Sequence, residues 1–452
     1  MPSIPNRTRR AVLGGGLSAT VAVTAVSAQQ FQGGAPAGST TIGLRPDPDQ
    51  DQTAVLQRAL SAAAKNRAPV YLPSGRYRMG GISLPPWVRL FGTGSGATIL
   101  VQAGTAPLFA AQGGQEIALH GITLEGGPVA TRTTPLVSFT DVKVLDMSDV
   151  VLVLARGPAV RLERCGGRIE RCSISDAEVG IFSLDATGLR IVGNVVDRCR
   201  NNGIQVWRSQ KGYDGTQVLA NRVSNVSADA GGSGQNGNGV NVFRAGGVMV
   251  AQNVIRDCAF TAVRNNSGDN VQILGNSCLN LGEVAIYAEF TFEGCIIANN
   301  LVDRANVGVS ITNFNENGRL AVATGNIVRN LFRRLNPEKG TYDGGTGIAV
   351  EADATVTGNV VEGAELAGIK IGYGTYQRDV LCSGNVVRRC AYGITVSVVP
   401  DSGTAQITNN ILSECSRGRV VGFEYDKVVS GDLADSVDRR FRHLAVHGNT
   451  GR

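Results

Sequence analysis

Two carboxylates, Glu289 and Glu351, and two cations, Arg264 and Lys370, stand at matching places in a recurring five-residue phrase: a small residue, an apolar residue, X, an apolar residue, X. In an extended strand the two apolar positions point one way and both X positions the other. The first X position reads Phe182, Gln205, Asn241, Arg264, Tyr287, Ser310, Ala349, Lys370 and Thr395 along the chain. The second reads Leu184, Trp207, Phe243, Asn266, Glu289, Thr312, Glu351, Gly372 and Ser397. Gln205, Trp207, Asn241, Phe243, Asn266, Tyr287 and the nearby Tyr373 supply aromatic faces and amide edges. A sugar chain needs that mixture: ring faces to stack on and polar groups to bond its hydroxyls. Two chemistries are open. Glu289 and Glu351 fall two repeats apart, roughly 9–10 Å between backbones. Carboxylates separated by ~6.5–9.5 Å serve as acid and base in inverting glycoside hydrolysis. Alternatively, Arg264 or Lys370 binds a uronate carboxylate and one of them removes the proton beside it. A solvated sheet face that binds a polysaccharide without cleaving it, or has only a structural role in the envelope, needs no carboxylate geometry.

The elements that must position these residues are repeats. An Asn between short alternating apolar runs returns at Asn194, Asn221, Asn253, Asn276, Asn300, Asn326, Asn359, Asn385 and Asn410, spaced 23 to 33 residues apart. Each unit carries three strand signals and no helical spacing: one before the Asn, one after it, and the small-apolar-X-apolar-X phrase. Three strands per coil, stacked at ~4.8 Å, predict an all-β, right-handed parallel β-helix of about ten or more coils. The Asn is expected at a bend, bonding the Asn one coil up and tolerating unusual backbone angles. Extra residues at 229–238 and 336–345 precede the third strand, and those at 208–216, 291–294, 313–319 and 373–379 follow it. Insertions on one face of a solenoid form binding walls; Tyr213, Phe314, Tyr342, Tyr373 and Tyr376 are the aromatic candidates to line them.

Residues 53–66 form the single helical pattern, with Val55, Leu56, Ala59, Leu60 and Ala63 on one face and Asp51 as N-cap. It would cover the N-terminal strand edges. After Ser416 the pattern breaks, and residues 443–449 recover one last strand-and-Asn phrase. The expected organisation is a signal peptide at 1–28, a linker at 29–45, the capping helix and first coils at 46–110, repeats at 111–425 and a C-terminal cap at 426–452.

Arg9 and Arg10 precede a weakly apolar stretch, and Val26-Ser27-Ala28 is a small-residue cleavage site. The stretch is too short and too rich in Gly, Ala and Thr for a membrane span. The twin arginine points to export by the Tat translocase into the periplasm or beyond. Without residues 1–28, the net charge of +6 loses Arg7, Arg9 and Arg10 and becomes +3. That is too small to argue for nucleic acid. Hydrophobic residues at 42%, aromatics at 5% and 59 glycines suit thin stacked coils with many turns. The nine cysteines include Cys199, Cys258, Cys390 and Cys415 in one phase, five residues after the Asn. The phase reads as small apolar filling; Cys390 and Cys415, on adjacent coils, are the pair that an oxidising compartment could bridge. No Cys or His spacing matches a metal motif, and no cofactor is implied.

Residues 51–60, Asp-Gln-Thr-Ala-Val-Leu-Gln-Arg-Ala-Leu, followed by Val70-Tyr71-Leu72-Pro73-Ser74-Gly75-Arg76-Tyr77, resemble the opening of pectate-lyase-superfamily β-helix proteins. With the twin arginine, the chain as a whole resembles the twin-arginine-translocated repeat proteins, a family without an assigned activity. The resemblance implies the fold over about residues 40 to 450. The Asn-Thr-Asp and Gly-His-Gly runs of polygalacturonases and the Asp-Pro-His-Asp of alginate epimerases do not occur here. The fold itself hosts lyases, hydrolases, epimerases and adhesins.

Overall fold

The computed structural model describes residues 38–47, 49–232, 234–336, 340–435 and 440–451. The signal segment and the start of the linker lie outside them. The described chain winds into a β-solenoid of about 14 turns with one helix near its N-terminus. Within a coil the three strands repeat in order, and each pairs in parallel with its counterpart one coil on. Val195–Tyr213, for example, pairs with Arg222–Val226 through its first part and with Asn238–Gly246 through its second. The inward side chains, among them Ile204, Val206, Val240, Val242, Ile369 and Ile371, are fully buried in one core running the length of the stack.

The recurring Asn builds a continuous ladder. Asn194 donates its side-chain N–H to Asn221 Oδ1 at 2.9 Å, and the same bond repeats through Asn253, Asn276, Asn300, Asn326, Asn359, Asn385 and Asn410. Asn410 hands on to Asn449 at 2.8 Å, so the last phrase of the sequence does close a final rung. Each amide also donates to a main-chain carbonyl of a neighbouring coil, as Asn194 does to Ile169 at 3.0 Å. Every polar atom of these buried side chains therefore has work, which is what burial demands. The unusual backbone angle falls elsewhere than expected. The residue before the ladder Asn takes the left-handed conformation, as at Gly193 (φ 67°), Ala220 (φ 54°) and Asn299 (φ 58°), while the ladder residues themselves do not.

A glycine opens most third strands because nothing larger fits. A Cβ on Gly203 would lie 2.5 Å from Gly239 O and 2.6 Å from Val223 Cγ1. The helix runs Thr53–Lys65 and buries Leu56, Leu60 and Ala63. Its N-cap position is Gln52, not Asp51; Asp51 instead accepts the Thr53 N–H at 2.8 Å from one residue further out. All nine cysteines are unpaired thiols and eight are buried, so the bridge considered for Cys390 and Cys415 is not formed. Among the described residues no helix is long and apolar enough to cross a membrane.

The repeat also persists past Ser416. Val420–Glu424 pairs in parallel with Tyr392–Ser397, placing Val421 beside Thr395 and Phe423 beside Ser397. The chain then turns back as Lys427–Asp432, antiparallel to it. A second hairpin, Arg333–Asn336 with Thr341–Gly344, stands apart from the solenoid sheet at the entrance to a third strand.

Candidate functional site

The pairings reproduce the first outward column to Thr395 and the second from Leu184 to Glu289. Phe182, Gln205, Asn241, Arg264, Tyr287, Ser310, Ala349, Lys370 and Thr395 are successive neighbours across the third-strand sheet. Leu184, Trp207, Phe243, Asn266 and Glu289 form the column beside them. The loops divide this face into three stretches of different character.

In the first, the aromatics pack against one another, edge-on and tilted. Phe182, Trp207 and Phe243 have successive ring centroids 5.5 Å apart. Trp207 is half-buried, and its indole N–H is buried without a partner.

In the second, the polar groups are sealed in. Arg264 Nε meets Glu289 Oε1 at 2.6 Å, and Asn266 Nδ2 donates to the same oxygen at 3.0 Å. The two charged side chains are only 8% and 3% exposed. Residues 234–237 roof them. A Cβ on Gly234 would fall 1.8 Å from Arg264 Nη1, so the chain there can approach only as glycine. Asn241 and Asn202 both donate to Gln235 O in the same segment, at 3.3 and 3.0 Å. Gln205 and Asn241 are buried as well. Burial pushes the Glu289 carboxyl up, against the pull of Arg264. The expected acid–base pairing of Glu289 with Glu351 is thus not assembled: Glu289 is committed to Arg264 and does not line the cavity that Glu351 lines. Arg264 is likewise not presented to a uronate.

The third stretch is a cavity of about 670 Å³ over the C-terminal coils, within the usual range for small-ligand sites. Its floor is Tyr287, Ser310, Ala349, Lys370 and Thr395 from the first column, with Thr312, Glu351, Gly372 and Ser397 from the second. Ser310 and Ala349 are small, which makes the hollow between Tyr287 and Lys370. The hairpin supplies one wall with Arg333, Tyr342 and Asp343; Asn313 and Tyr373 line the side where the third strands end, and Tyr425 and Asp426 stand at its C-terminal limit. Glu351 Oε2 accepts the Phe314 N–H at 2.8 Å. Burial raises the Glu351 carboxyl above the usual carboxylate range, outweighing the main-chain donors of 313–314 and the nearby Lys370. The same burial lowers the Lys370 ammonium, outweighing Asp426 and Glu351. Lys370 Nζ lies 4.5 Å from the Tyr373 ring centroid, Tyr373 stacks edge-on against Tyr425 at 5.5 Å, and its hydroxyl donates to Asp426 at 3.2 Å. Burial, then Asp426, raises the Tyr373 hydroxyl. A buried carboxyl pushed up and a buried amine pushed down in one cavity are suited to exchanging protons with a bound ligand.

Of the residues singled out from sequence, Tyr287, Glu351, Lys370 and Tyr373 are brought together here. Gln205, Trp207, Asn241, Phe243, Arg264, Asn266 and Glu289 lie outside, toward the N-terminus. Of the loop aromatics, Tyr342 and Tyr373 line the cavity; Tyr213 is exposed elsewhere and Phe314 lies under Arg378. The sequence columns end at Ser397 and so do not reach Tyr425 and Asp426. Extending the phrase to Gly418-Arg419-Val420-Val421-Gly422-Phe423 reaches the turn that carries them.

Comparison with known proteins agrees with this architecture. Residues 39–262 match the family model described as rhamnogalacturonase A/epimerase, pectate lyase-like, and residues 219–417 match that of the periplasmic copper-binding protein NosD. The catalytic unit of a thermostable GH87 α-1,3-glucanase from Streptomyces thermodiastaticus superimposes with a TM-score of 0.54 at 15% identity, over 93% of this chain and 70% of that one. The N-terminal fragment of gene product 12 of bacteriophage phi29 gives 0.51 at 13%, over 84% and 67%. Likeness at such identities establishes the fold alone, and the pectate-lyase-type parallel β-helix expected from sequence is borne out at that level. Among the described residues no group of three or more His, Cys, Asp and Glu side chains is placed to hold a metal ion.

Proposed function

We propose that this protein is an exported carbohydrate-active β-helix protein whose cavity binds an acidic saccharide and breaks a glycosidic bond by β-elimination. The observation that carries the reading is the placement of Glu351 and Lys370 in one cavity, with burial favouring the neutral form of each. In the proposed step the Lys370 amine takes the proton beside the uronate carboxylate. The C–O bond at the β-carbon breaks as the C=C bond forms, and the Glu351 carboxyl gives its proton to the departing oxygen. Arg333 offers a cation to the uronate carboxylate, and Tyr373 and Tyr425 offer ring faces. The match over residues 39–262 supports saccharide chemistry by its name, and the match over 219–417 supports a periplasmic location by its own. Arg9 and Arg10 are the proposed Tat signal; changing both to Lys should leave precursor in the cytoplasm, and normal export of that form would end the Tat assignment.

The test is incubation with a panel of uronate and neutral glycans, reading unsaturated product in the ultraviolet and new reducing ends. Unsaturated product that disappears in Lys370→Ala and Glu351→Gln supports elimination. Reducing ends without unsaturation would move the reading to hydrolysis, with Glu351 and Asp426 as the carboxylates, since both act on the charge of Lys370. Binding without either product leaves a non-catalytic saccharide-binding module.

A further inference from the structure

The sequence columns run the length of the solenoid and suggest an open groove in which a polymer could lie along many coils. The structure closes that groove at both ends. Toward the N-terminus the floor stops at Tyr287. Arg264 stacks on the far side of the Tyr287 ring, its Cζ 5.2 Å from the centroid, and is locked to Glu289. Residues 234–237 roof the next coil, so no open path continues past it. Toward the C-terminus the chain does not simply end after the last coil. Its final third strand turns back as Lys427–Asp432, and the turn between them lifts Tyr425 and Asp426 into the cavity wall. That turn is fastened to the neighbouring loop by the Tyr373–Asp426 hydrogen bond and the Tyr373–Tyr425 contact. It also lies directly against Gly374, where a Cβ would come 2.5 Å from the Tyr425 ring. The hairpin of Arg333–Asn336 with Thr341–Gly344 and the Asn313 segment line the two flanks.

Resting on the saccharide reading above, we infer that this is an end-binding pocket: it takes the terminal units of an acidic saccharide chain, or a short oligosaccharide, and excludes the interior of a polymer. A cleft open at two ends lets a chain pass through and be gripped anywhere along it. A hollow walled on four sides accepts only what can enter from above, and a long chain can do that only with its end. Tyr287 and the Tyr425–Asp426 turn are the residues that set this specificity. The C-terminal hairpin is then part of the site as well as the cap of the solenoid.

The experiment compares polygalacturonate and alginate, each as long polymer and after partial depolymerisation, at equal mass, binding to the Glu351→Gln form so that no new ends are made during the measurement. Titration calorimetry gives moles of protein bound per gram. End binding predicts capacity that rises in direct proportion to the number of chain ends, with short oligomers binding as well as polymer does per end. Capacity that depends on mass and not on ends would overturn the inference while leaving the saccharide reading intact. Failure of both glycans to bind in every form would remove the saccharide reading itself for uronates, and the inference with it. Tyr425→Ala, an exposed side chain whose loss leaves the core untouched, should widen one end and lower the ratio of oligomer to polymer affinity. An unchanged ratio in a variant that still binds would show that this turn does not set the length preference.

Discussion

Arg264 and Lys370 occupy the same column of the same sheet, four coils apart, each with a carboxylate nearby, and they end in opposite circumstances. Arg264 is bonded to Glu289 under a roof of main chain. Lys370 faces an open cavity with Glu351 and Asp426 near enough to act on its charge but not bonded to it. The strand phrase is alike in both coils. The difference lies in the insertions: residues 234–237 fold inward over the first cation, whereas the hairpin of Arg333–Asn336 with Thr341–Gly344 stands beside the second and leaves room above it. In a solenoid the strands decide which residues point outward, and the loops decide whether an outward residue becomes structure or site.

The sharpest break of that comparison is to truncate both cations. Arg264→Ala leaves the Glu289 carboxylate buried without its partner and should cost about 3–5 kcal/mol. Lys370→Ala removes an amine that burial already disfavours as a cation, and its melting temperature should stay near that of wild type or rise. Thermal unfolding of the two variants checks this. Equal losses would mean that Lys370 is as structural as Arg264.

Next in size is the ladder common to both regions. Asn359→Ala deletes bonds to Asn385, to Ala323 O and from Asn326, and leaves buried groups of its neighbours unpaired. A loss of about 1–3 kcal/mol is expected in a denaturant titration, with saccharide binding unchanged. A comparable loss from an outward residue of the cavity floor, such as Thr395→Ala, would blur the line between scaffold and site.

Smaller again is the contrast between two aromatics of the same face. Tyr287→Ala should weaken saccharide binding by about 1–3 kcal/mol with a near-native melting curve. Trp207→Ala should leave binding alone and lower stability instead, because Trp207 is packed between Phe182 and Phe243 outside the cavity. If Trp207→Ala lost binding too, the ligand would have to reach past Tyr287, and the pocket would not be closed there.

What was legible in the sequence follows the same division. The Asn ladder, the parallel pairing and both outward columns repeat, so each coil corroborates the next, and a register error of one residue would have put charges such as Lys370 into the core. Glu351, Lys370, Tyr287 and Tyr373 could therefore be placed on the right face. Which of the outward residues share a site was not legible, because that depends on loops that do not repeat. The glycine at 234 that lets the main chain seal Arg264, and the turn that brings Tyr425 and Asp426 over Tyr373, each occur once. Repetition reports what every coil needs and is silent about what one coil does.

The finest test of the cavity is the pH dependence of stability, where Glu351 and Lys370 must act with opposite sign. The Glu351 carboxyl is raised in the folded protein, so the stability that its protonated form contributes is complete below the carboxyl's unfolded pKa. It is lost as pH rises through the higher folded value. The Lys370 ammonium is lowered, so charging it costs the folded state below its depressed pKa, and that cost vanishes as pH rises toward the unfolded value. Glu351→Gln keeps the acceptor for the Phe314 N–H and removes the titration. It should match wild type in acid and become the more stable of the two as pH rises through the folded Glu351 pKa. Lys370→Met should be more stable than wild type at neutral and acid pH and converge on it in alkali. The two are coupled. Losing the Lys370 cation removes a group that holds Glu351 down, so the carboxyl should climb further in Lys370→Met and its transition move to higher pH. Melting temperatures across a pH series would show these slopes directly. Parallel slopes, or a Glu351 transition that stays put when Lys370 is removed, would mean that the two groups do not share one buried cavity.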